Sequence, residues 1–287
     1  MSTLYHSRKR NVSRWLTAAI CGFVLAASCA VVGCSSAQGE SANTATDGFD
    51  RTQLSDREST ITQEPAQEQT TEAIAPTTNL GVVCIDPGHG NTADSTQTPI
   101  GPGSDETQAV EPGGTSGVST GAAEYERNLE IALKLQTQLE ARGVTVVMTR
   151  TTNDVVMSSQ ERAEVANASG AALFVRLHCN GSVDPSTTGF STLVPGYGEW
   201  TSGIADESAR AAGIIHPVVI AATGANDAGI IQTENLAGFN FSQVPSVLFE
   251  MGFMSNAEED ELLATESYQD ALASSMADGI VQYLQTL

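Results

Sequence analysis

The sequence predicts an α/β fold, a single domain with a twisted, mostly parallel sheet and helices on both faces. Two observations support this prediction. From about residue 80 onward, short apolar runs bounded by glycine and proline recur, and such runs are typical of buried strands. Segments with apolar residues at helical spacing alternate with them. This alternation favours a parallel sheet, because parallel strands are joined by crossover helices.

The first 34 residues are typical of an export signal. A basic segment precedes an apolar run over residues 15–32, which ends in Val-Val-Gly-Cys at residues 31–34. This tetrapeptide resembles the lipobox of bacterial lipoproteins, which implies cleavage before Cys34 and a lipid on its sulfur. The alternative is a retained membrane anchor, since about 18 apolar residues barely span a bilayer. Either arrangement tethers an exported domain to the outer face of the cytoplasmic membrane.

Residues 35–79 predict a disordered acidic linker rich in serine and threonine. The segment has no apolar periodicity, and Phe49 is its only aromatic residue. It therefore cannot bury enough apolar surface to fold. Residues 80–287 form the predicted catalytic domain, whose length is ample for one large core.

The charge balance excludes some partners. From Ser35 onward the chain carries nine basic and 34 acidic residues, and Lys134 is the only lysine there. No basic stripe is available to displace counterions, so nucleic-acid binding is disfavoured. Direct adhesion to an anionic wall polymer or membrane surface is disfavoured for the same reason. We expect the protein to act as a monomer.

The first elements of the domain follow from local signals. An apolar strand over residues 82–85 breaks at Asp-Pro-Gly-His-Gly, because proline and glycine end it. The segment 92–123 is rich in Gly, Pro, Thr and Ser, and its length predicts a functional loop. Leucines at helical spacing predict a helix over residues 126–142 that ends at Gly143.

The rest of the domain continues the alternation. Ser158 or Ser159 is expected to cap a helix, and Pro217 is expected to kink or divide a long helical stretch over residues 200–222. The other predicted strands cover residues 144–148, 171–177, 189–194 and 244–249. The other predicted helices cover residues 158–169, 257–264 and 267–284.

Two histidines share a position in this pattern. His89 follows the first strand between two glycines, and His178 follows another strand. The carboxyl ends of parallel strands meet at one edge of the sheet, so both imidazoles are expected there. Two imidazoles suggest zinc, which takes a third protein ligand and leaves a position for water. Glu124 and Glu250 are both candidates for the third ligand.

Other residues of the domain also carry acidic, imidazole or thiol groups. Glu250 lies among apolar residues, where a carboxylate is costly unless it has a function or a partner; beside a metal it can exchange protons with water. His216 precedes Pro217 in a helical pattern and is expected to be a packed or surface histidine. Cys84 and Cys179 could form a disulfide, but their places on buried strands favour two unpaired thiols.

Ordered sequence blocks carry a resemblance to a known family. They are IDPGHG at 85–90, EYERNL at 124–129, MTR at 148–150, QER at 160–162, LHCN at 177–180 and PSVLFEMGFMSN at 245–256. In these blocks the chain resembles the zinc-dependent N-acetylmuramoyl-L-alanine amidases called amidase type 3. The resemblance implies that His89, Glu124 and His178 bind zinc and that Glu250 is the catalytic carboxylate.

Two departures from the family pattern bear on substrate binding. Position 176 is often a small polar residue in the family but is Arg176 here. Arg176 lies two residues before His178, on the same strand face. We expect it to hold a substrate carboxylate or carbonyl, with a buried ion pair to Glu250 or Asp86 as the alternative. Asn180 is a second candidate substrate-binding residue. The other departure is the long 92–123 loop. We expect this loop to form a wall of the substrate-binding groove or to cover the groove.

The resemblance implies hydrolysis of the amide that joins N-acetylmuramic acid to L-alanine in bacterial peptidoglycan. Zinc would be the cofactor and peptidoglycan the substrate. Two alternatives stay open from the sequence. A zinc peptidase would cut the stem peptide with the same metal chemistry, and a non-catalytic, lipid-tethered domain would only bind the wall.

Overall fold

A computed structural model describes residues 79–287 of the chain. The expected signal segment, its Cys34 and the linker up to residue 78 lie outside the described residues. Within 79–287, no helix is both long and apolar enough to cross a membrane.

Eight strands and six helices make up the described domain. The strands are β1 (Val82–Pro87), β2 (Asp94–Pro99), β3 (Thr107–Glu111), β4 (Thr145–Met148), β5 (Leu173–Asn180), β6 (Phe190–Pro195), β7 (Asp227–Thr233) and β8 (Ser246–Phe253). The helices are α1 (Glu124–Ala141), α2 (Ser159–Ser169), α3 (Ala205–Thr223), α4 (Ala237–Asn240), α5 (Ala257–Leu263) and α6 (Glu266–Leu284).

The main sheet has six strands in the order β4-β1-β5-β8-β6-β7. Neighbouring strands run parallel except β6 and β8, which are antiparallel. The prediction of a mostly parallel sheet is therefore confirmed. β2 and β3 form a separate antiparallel hairpin outside this sheet.

Alternate residues of β1 enter two different clusters, one on each face of the sheet. Val83 and Ile85 belong to the large cluster, which also contains apolar residues of α1, α3 and α6. Cys84 points the other way and packs with Ala163 and Ala166 of α2. This period of two is that of a strand buried on both faces. The helices thus cover both faces, as predicted.

The ends of two helices match their sequence signals. Ser158, and not Ser159, caps α2: its side chain accepts a hydrogen bond from the backbone N–H of Glu161, whose carboxylate accepts from Ser158 N–H. Such a capping box satisfies two donors that the first helical turn leaves free. Gly170 ends α2 in the left-handed conformation.

Four elements were not predicted, because none shows the apolar alternation of a half-buried strand or the length of a helix. The β2–β3 hairpin consists largely of polar residues and lies within the expected loop over residues 92–123. β7 is an edge strand with Ile230 and Ile231 more than 40% exposed. α4 is a single turn of four residues.

Two predicted breaks are absent. α3 is one helix that contains Pro217, so the stretch is not divided there, although proline in a helix interior costs about 3 kcal/mol. The burial of Ile215 and Val219 in the large cluster offsets that cost. β8 does not break at Glu250 but continues to Phe253, because β5 pairs with it as far as Asn180.

The segment between the hairpin and α1 is fastened to the C-terminal part of the domain. The fully buried carboxylate of Asp260 on α5 accepts hydrogen bonds from the backbone N–H groups of Ser119 and Thr120, both at 2.8 Å. The Thr120 hydroxyl donates a third, also at 2.8 Å. Asp260 thereby fixes the loop that leads into the first residue of α1.

Two cysteines and one histidine of the described residues are buried inside the fold. Cys84 and Cys179 are both free and buried. Burial, with the charge of Asp86, raises the pKa of Cys84 to about 12, and burial also raises the pKa of Cys179. Neither thiol is therefore a nucleophile near neutral pH. His216 is buried, with its ring between the Thr192 hydroxyl and the Asp227 carboxylate at 2.9 Å each.

Candidate active site

The turn after β1 brings its histidine against the neighbouring strand. His89 has φ 62°, the left-handed conformation that non-glycine residues seldom adopt. Before it, Gly88 lies so close to His178 that a Cβ there would be 2.2 Å from the ring carbon Cε1. Only glycine allows this approach. The two imidazole rings meet edge to face with centroids 4.9 Å apart.

Glu124 stands between these two histidines. Its Oε1 atom lies 3.4 Å from His89 Nε2 and 3.0 Å from His178 Nδ1. One ligand atom from each of the three residues lies within 4.8 Å of the others. Of the two glutamates that the sequence left as candidates, Glu124 is the one in this group. His178 itself lies within β5, two residues before its end, and not after the strand as predicted.

Local structure fixes the Glu124 carboxylate in place. Glu124 is the first residue of α1 and is only 4% exposed. Its Oε2 atom accepts a hydrogen bond from Thr115 N–H at 2.9 Å, and Oε1 accepts one from Cys179 N–H at 3.1 Å. A carboxylate at a helix N-terminus is also favoured by the helix dipole. The sequence prediction started this helix at residue 126 and so placed Glu124 outside it.

Glu111 is a residue of the site that sequence reasoning missed. It ends β3, is 2% exposed, and its Oε1 atom lies 2.8 Å from His89 Nδ1. A carboxylate on the far nitrogen fixes the tautomer and orientation of a metal-binding histidine. The only signal in the sequence is an acidic residue after an Ala-Val pair, inside a segment that predicted only a loop.

Buried arginines brace the turn after β1. Arg162 of α2 bridges two carboxylates, with Nη1 at 2.8 Å from Asp86 Oδ1 and Nη2 at 3.2 Å from Glu111 Oε2. It also donates to the carbonyl of His89 at 3.1 Å. Arg150 donates to the carbonyls of Pro87 and Gly88 at 2.9 and 3.0 Å. These bonds satisfy carbonyl groups that the irregular turn removes from the sheet.

Burial and mutual hydrogen bonds shift the pKa values of the three residues in this group. Burial acts to raise the pKa of Glu124, but hydrogen bonds to His178 and His89 outweigh it and hold that pKa well below its usual range. Burial acts to lower the pKa of His89, yet hydrogen bonds to Glu111 and Glu124 raise it to about 9. Burial lowers the pKa of His178.

Glu250 lies beside the group but outside it. On β8 it is the register partner of His178 on β5. Burial, with the charge of Glu124, raises the pKa of Glu250 to about 8. Its Oε2 atom is buried and has no hydrogen-bond partner among the described residues. A carboxyl group with a raised pKa and a free oxygen can take up and release a proton near neutral pH.

The group offers a set of donor atoms that fits zinc. Two imidazole nitrogens and one carboxylate oxygen form a common donor set for catalytic zinc, which keeps a further position for water. The His178 ring has a buried Nε2 atom without a hydrogen-bond partner in the described part of the chain. Hydrogen bonds hold two of the three ligands in place: Glu111 binds the His89 ring, and the backbone N–H groups of Thr115 and Cys179 bind the Glu124 carboxylate.

A cavity of about 210 Å³ adjoins the group. Its lining includes His89, His178, Glu250, Arg176, Gly238 and Gln108. Arg176 is 5% exposed, and its Nε atom donates to Asp86 Oδ2 at 2.9 Å. One of the ion pairs considered from the sequence, that with Asp86, is therefore present.

Asn180, the other candidate for substrate binding, is placed differently. Its side-chain oxygen accepts a hydrogen bond from the backbone N–H of Gly181 at 2.8 Å. It does not belong to the lining of this cavity.

Known proteins share both the sequence and the architecture of this domain. Residues 83–282 match the family model described as N-acetylmuramoyl-L-alanine amidase. N-acetylmuramoyl-L-alanine amidase Rv3717 of Mycobacterium tuberculosis is 29% identical over 217 residues, which are 71% of this chain and 87% of that protein. The crystal structure of the amidase Ami1 from Mycobacterium smegmatis has a TM-score of 0.66 and 27% identity, covering 73% of this chain and 100% of its own.

A second relative is considerably longer than this chain. N-acetylmuramoyl-L-alanine amidase LytC of Bacillus subtilis is 34% identical over 182 residues, which are 62% of this chain and 35% of LytC. The likeness to LytC thus concerns one part of a larger protein. Because the family model covers most of the described domain, the chain belongs to the N-acetylmuramoyl-L-alanine amidase family.

Proposed function

We propose that this amidase is a zinc-dependent hydrolase of bacterial peptidoglycan, which cleaves the amide between N-acetylmuramic acid and L-alanine. One observation carries the proposal: ligand atoms of His89, Glu124 and His178 lie within 4.8 Å of one another, with the free oxygen of Glu250 nearby. The family to which the chain belongs indicates which bond is cleaved.

His89, Glu124 and His178 would hold the metal. A zinc ion bound there supplies Lewis acidity toward the scissile carbonyl and toward a water molecule. Glu111 keeps the His89 ring oriented through Nδ1, so that Nε2 faces the group. Hydrogen bonds to Glu124 and His89 would keep these two ligands in position before any ion arrives.

Glu250 transfers the proton that hydrolysis requires. Its carboxylate takes a proton from water as the water oxygen attacks the amide carbon. It then donates that proton to the L-alanine nitrogen as the carbon–nitrogen bond breaks, because a free amide anion is too poor a leaving group. The products are a muramic acid carboxyl group and a free amino terminus. The register of Glu250 with His178 supports this role, since it sets the acid beside the ligand group.

The N-terminal sequence supports a location outside the cytoplasm. We infer that the protein is exported and that a lipid on Cys34 tethers it to the outer face of the cytoplasmic membrane. Residues 35–79 would then let the domain reach wall polymer near the bilayer. Mass spectrometry of the N-terminus of the membrane-bound protein tests this, and a chain that begins at a diacylated Cys34 is expected. A chain that keeps residues 1–33 and carries no lipid would show that the apolar run is a retained anchor.

The decisive experiment is digestion of purified peptidoglycan with and without a chelator. The active protein is expected to release free L-alanine amino termini, and the chelator is expected to stop this until zinc is added back. His89→Ala and His178→Ala should lose zinc, which elemental mass spectrometry measures without reference to activity.

The same digest separates the alternative functions. A stem-peptide peptidase would expose amino termini of other residues and leave L-alanine linked to muramic acid. A wall-binding domain would bind the polymer and release nothing. Either result would contradict the proposed amidase activity.

A further inference from the structure

The Arg176 guanidinium is held along one edge only. Its Nε atom donates to Asp86 at 2.9 Å, and no residue of the described domain accepts a hydrogen bond from either Nη atom. Nη1 lies against Gly238, where a Cβ would be only 2.1 Å away. Glycine at this position therefore leaves the space that the guanidinium occupies. Arg176 and Gly238 both line the cavity beside Glu250.

Arg176 has fewer carboxylate partners than Arg162, the buried arginine with which it shares Asp86. Asp86 is shared between Arg162 and Arg176. Arg162 has a second carboxylate, Glu111, whereas Arg176 has no second carboxylate within salt-bridge distance in the described part of the chain. Glu250 lines the same cavity but makes no hydrogen bond to Arg176 there. A buried guanidinium with a free Nη edge is suited to a carboxylate, which it can bind through two parallel hydrogen bonds.

The size and position of the cavity indicate which part of a substrate it takes. At about 210 Å³ it is smaller than the roughly 300–1,000 Å³ of pockets that enclose whole ligands, so it fits one substituent of a larger molecule. His178, a candidate metal ligand, and Glu250, the proposed proton donor, both line this cavity. The substituent that occupies the cavity would therefore lie close to the scissile amide. Near this amide, the free carboxylate of a muramoyl peptide belongs to the γ-linked glutamyl residue after L-alanine.

We propose that Arg176 binds the free carboxylate of this glutamyl residue and makes the enzyme select it over the corresponding carboxamide. The inference rests on the proposed amidase function and adds a substrate preference to it. The carboxylate would occupy the Nη edge, and Asp86 would hold the Nε edge in place. A carboxamide brings no charge and cannot offer two acceptors, so its binding is weaker.

The test compares two synthetic N-acetylmuramoyl tripeptides that differ only in a glutamyl carboxylate or carboxamide. For the wild-type protein loaded with zinc, kcat/KM is expected to be about 10- to 100-fold higher for the carboxylate, the range given by a charge-assisted pair. In Arg176→Gln the two values should come within about twofold of each other. Arg176→Lys keeps a charge without the planar fork and should retain a smaller preference.

The outcomes separate this inference from the function on which it rests. Equal cleavage of both tripeptides by the wild type would overturn the role of Arg176 and leave the amidase activity intact. Cleavage of neither at the muramoyl amide would overturn both. Because Arg176 also pairs with Asp86, thermal unfolding and zinc content are measured for each variant. If Arg176→Gln does not fold, the wild-type ratio and Arg176→Lys still decide, since a purely structural ion pair does not discriminate carboxylate from carboxamide.

Discussion

His178 on β5 and Glu250 on β8 are direct register partners in neighbouring parallel strands. The sheet itself therefore sets the distance between a metal-ligand candidate and the acid that would serve it. Backbone pairing is more rigid than a loop, and rigid elements hold catalytic geometry better. Glu250 is half-buried on this strand, and its desolvation raises its pKa to about 8.

Replacing Glu250 tests whether it transfers the proton. Glu250→Gln keeps the shape of the side chain but cannot take a proton from water, so kcat is expected to fall by at least about 100-fold. Zinc content should stay the same, because Glu250 lies outside the ligand group. The matched control is Glu258→Gln, which changes an exposed glutamate of α5. A Glu250→Gln enzyme with near-normal kcat would exclude the proposed role.

We expect Glu111 to raise zinc affinity by orienting His89, without binding the metal itself. In Glu111→Gln the His89 Nδ1 atom loses its carboxylate partner, and zinc affinity is expected to fall by about 10- to 100-fold. Competition with a chromogenic chelator measures this affinity without any substrate. Glu106→Gln, an exposed position near the tip of the same hairpin, is the control and should bind zinc like the wild type. The same affinity in all three proteins would mean that Glu111 only supports the fold.

The buried Asp86 should make stability depend on pH in acid. Burial acts to raise its pKa, but Arg162 and Arg176 outweigh burial and hold the pKa far below its usual range. Between the unfolded pKa of about 3.9 and this lower folded pKa, only the unfolded chain binds the proton. The stabilisation is therefore complete above the unfolded pKa, and it is lost as the pH falls toward the folded one.

Urea unfolding between pH 6 and pH 3 measures this effect. The free energy of unfolding should decrease below about pH 4, by up to about 1.4 kcal/mol per pH unit from this one group. Asp86→Asn should be less stable by about 3–5 kcal/mol at pH 6, because it leaves buried arginines without their charge partner. Its acid dependence should be weaker than that of the wild type. The exposed Asp278→Asn should keep the wild-type slope.

Asp260 should stabilise the loop before α1. Asp260→Asn keeps the size of the side chain but removes an acceptor from the Ser119 and Thr120 amides. The expected loss is about 1–3 kcal/mol of unfolding free energy. Hydrogen exchange of these two amides should become faster than in Glu261→Gln, a control on the same helix that is exposed. Unchanged exchange would show that other contacts hold the loop.

The sequence predicted those strands and helices whose buried residues form an apolar pattern along the chain. Val83, Cys84 and Ile85 pack on two faces and therefore read as an apolar run. The edge strand β7 and the polar hairpin carry no such pattern, because solvent covers much of their surface. Pro217 predicted a kink or a division of the helix from local geometry alone, and the helix is not divided because its apolar residues pack in the large cluster.

The candidate site was predictable only in part. His89 and His178 could be paired in advance because both lie near strand ends that share one sheet edge. The position of Glu124 followed from family likeness, since no local rule brings the start of a helix to two strands. Glu111 could not be found, because its contact with His89 spans 22 residues and depends on a hairpin that the sequence did not reveal.

The two ends of the β2–β3 hairpin are under different physical constraints. At its base, Glu111 is tied to His89 and Arg162, so a change there would disturb the ligand group. At its tip, residues 102, 103, 105 and 106 are exposed, and none of them lines the cavity beside that group. Insertions or substitutions at the tip could therefore reshape how this enzyme meets its polymer while the chemistry below stays the same. The hairpin thus joins an exposed tip to a base that is hydrogen-bonded to the candidate site.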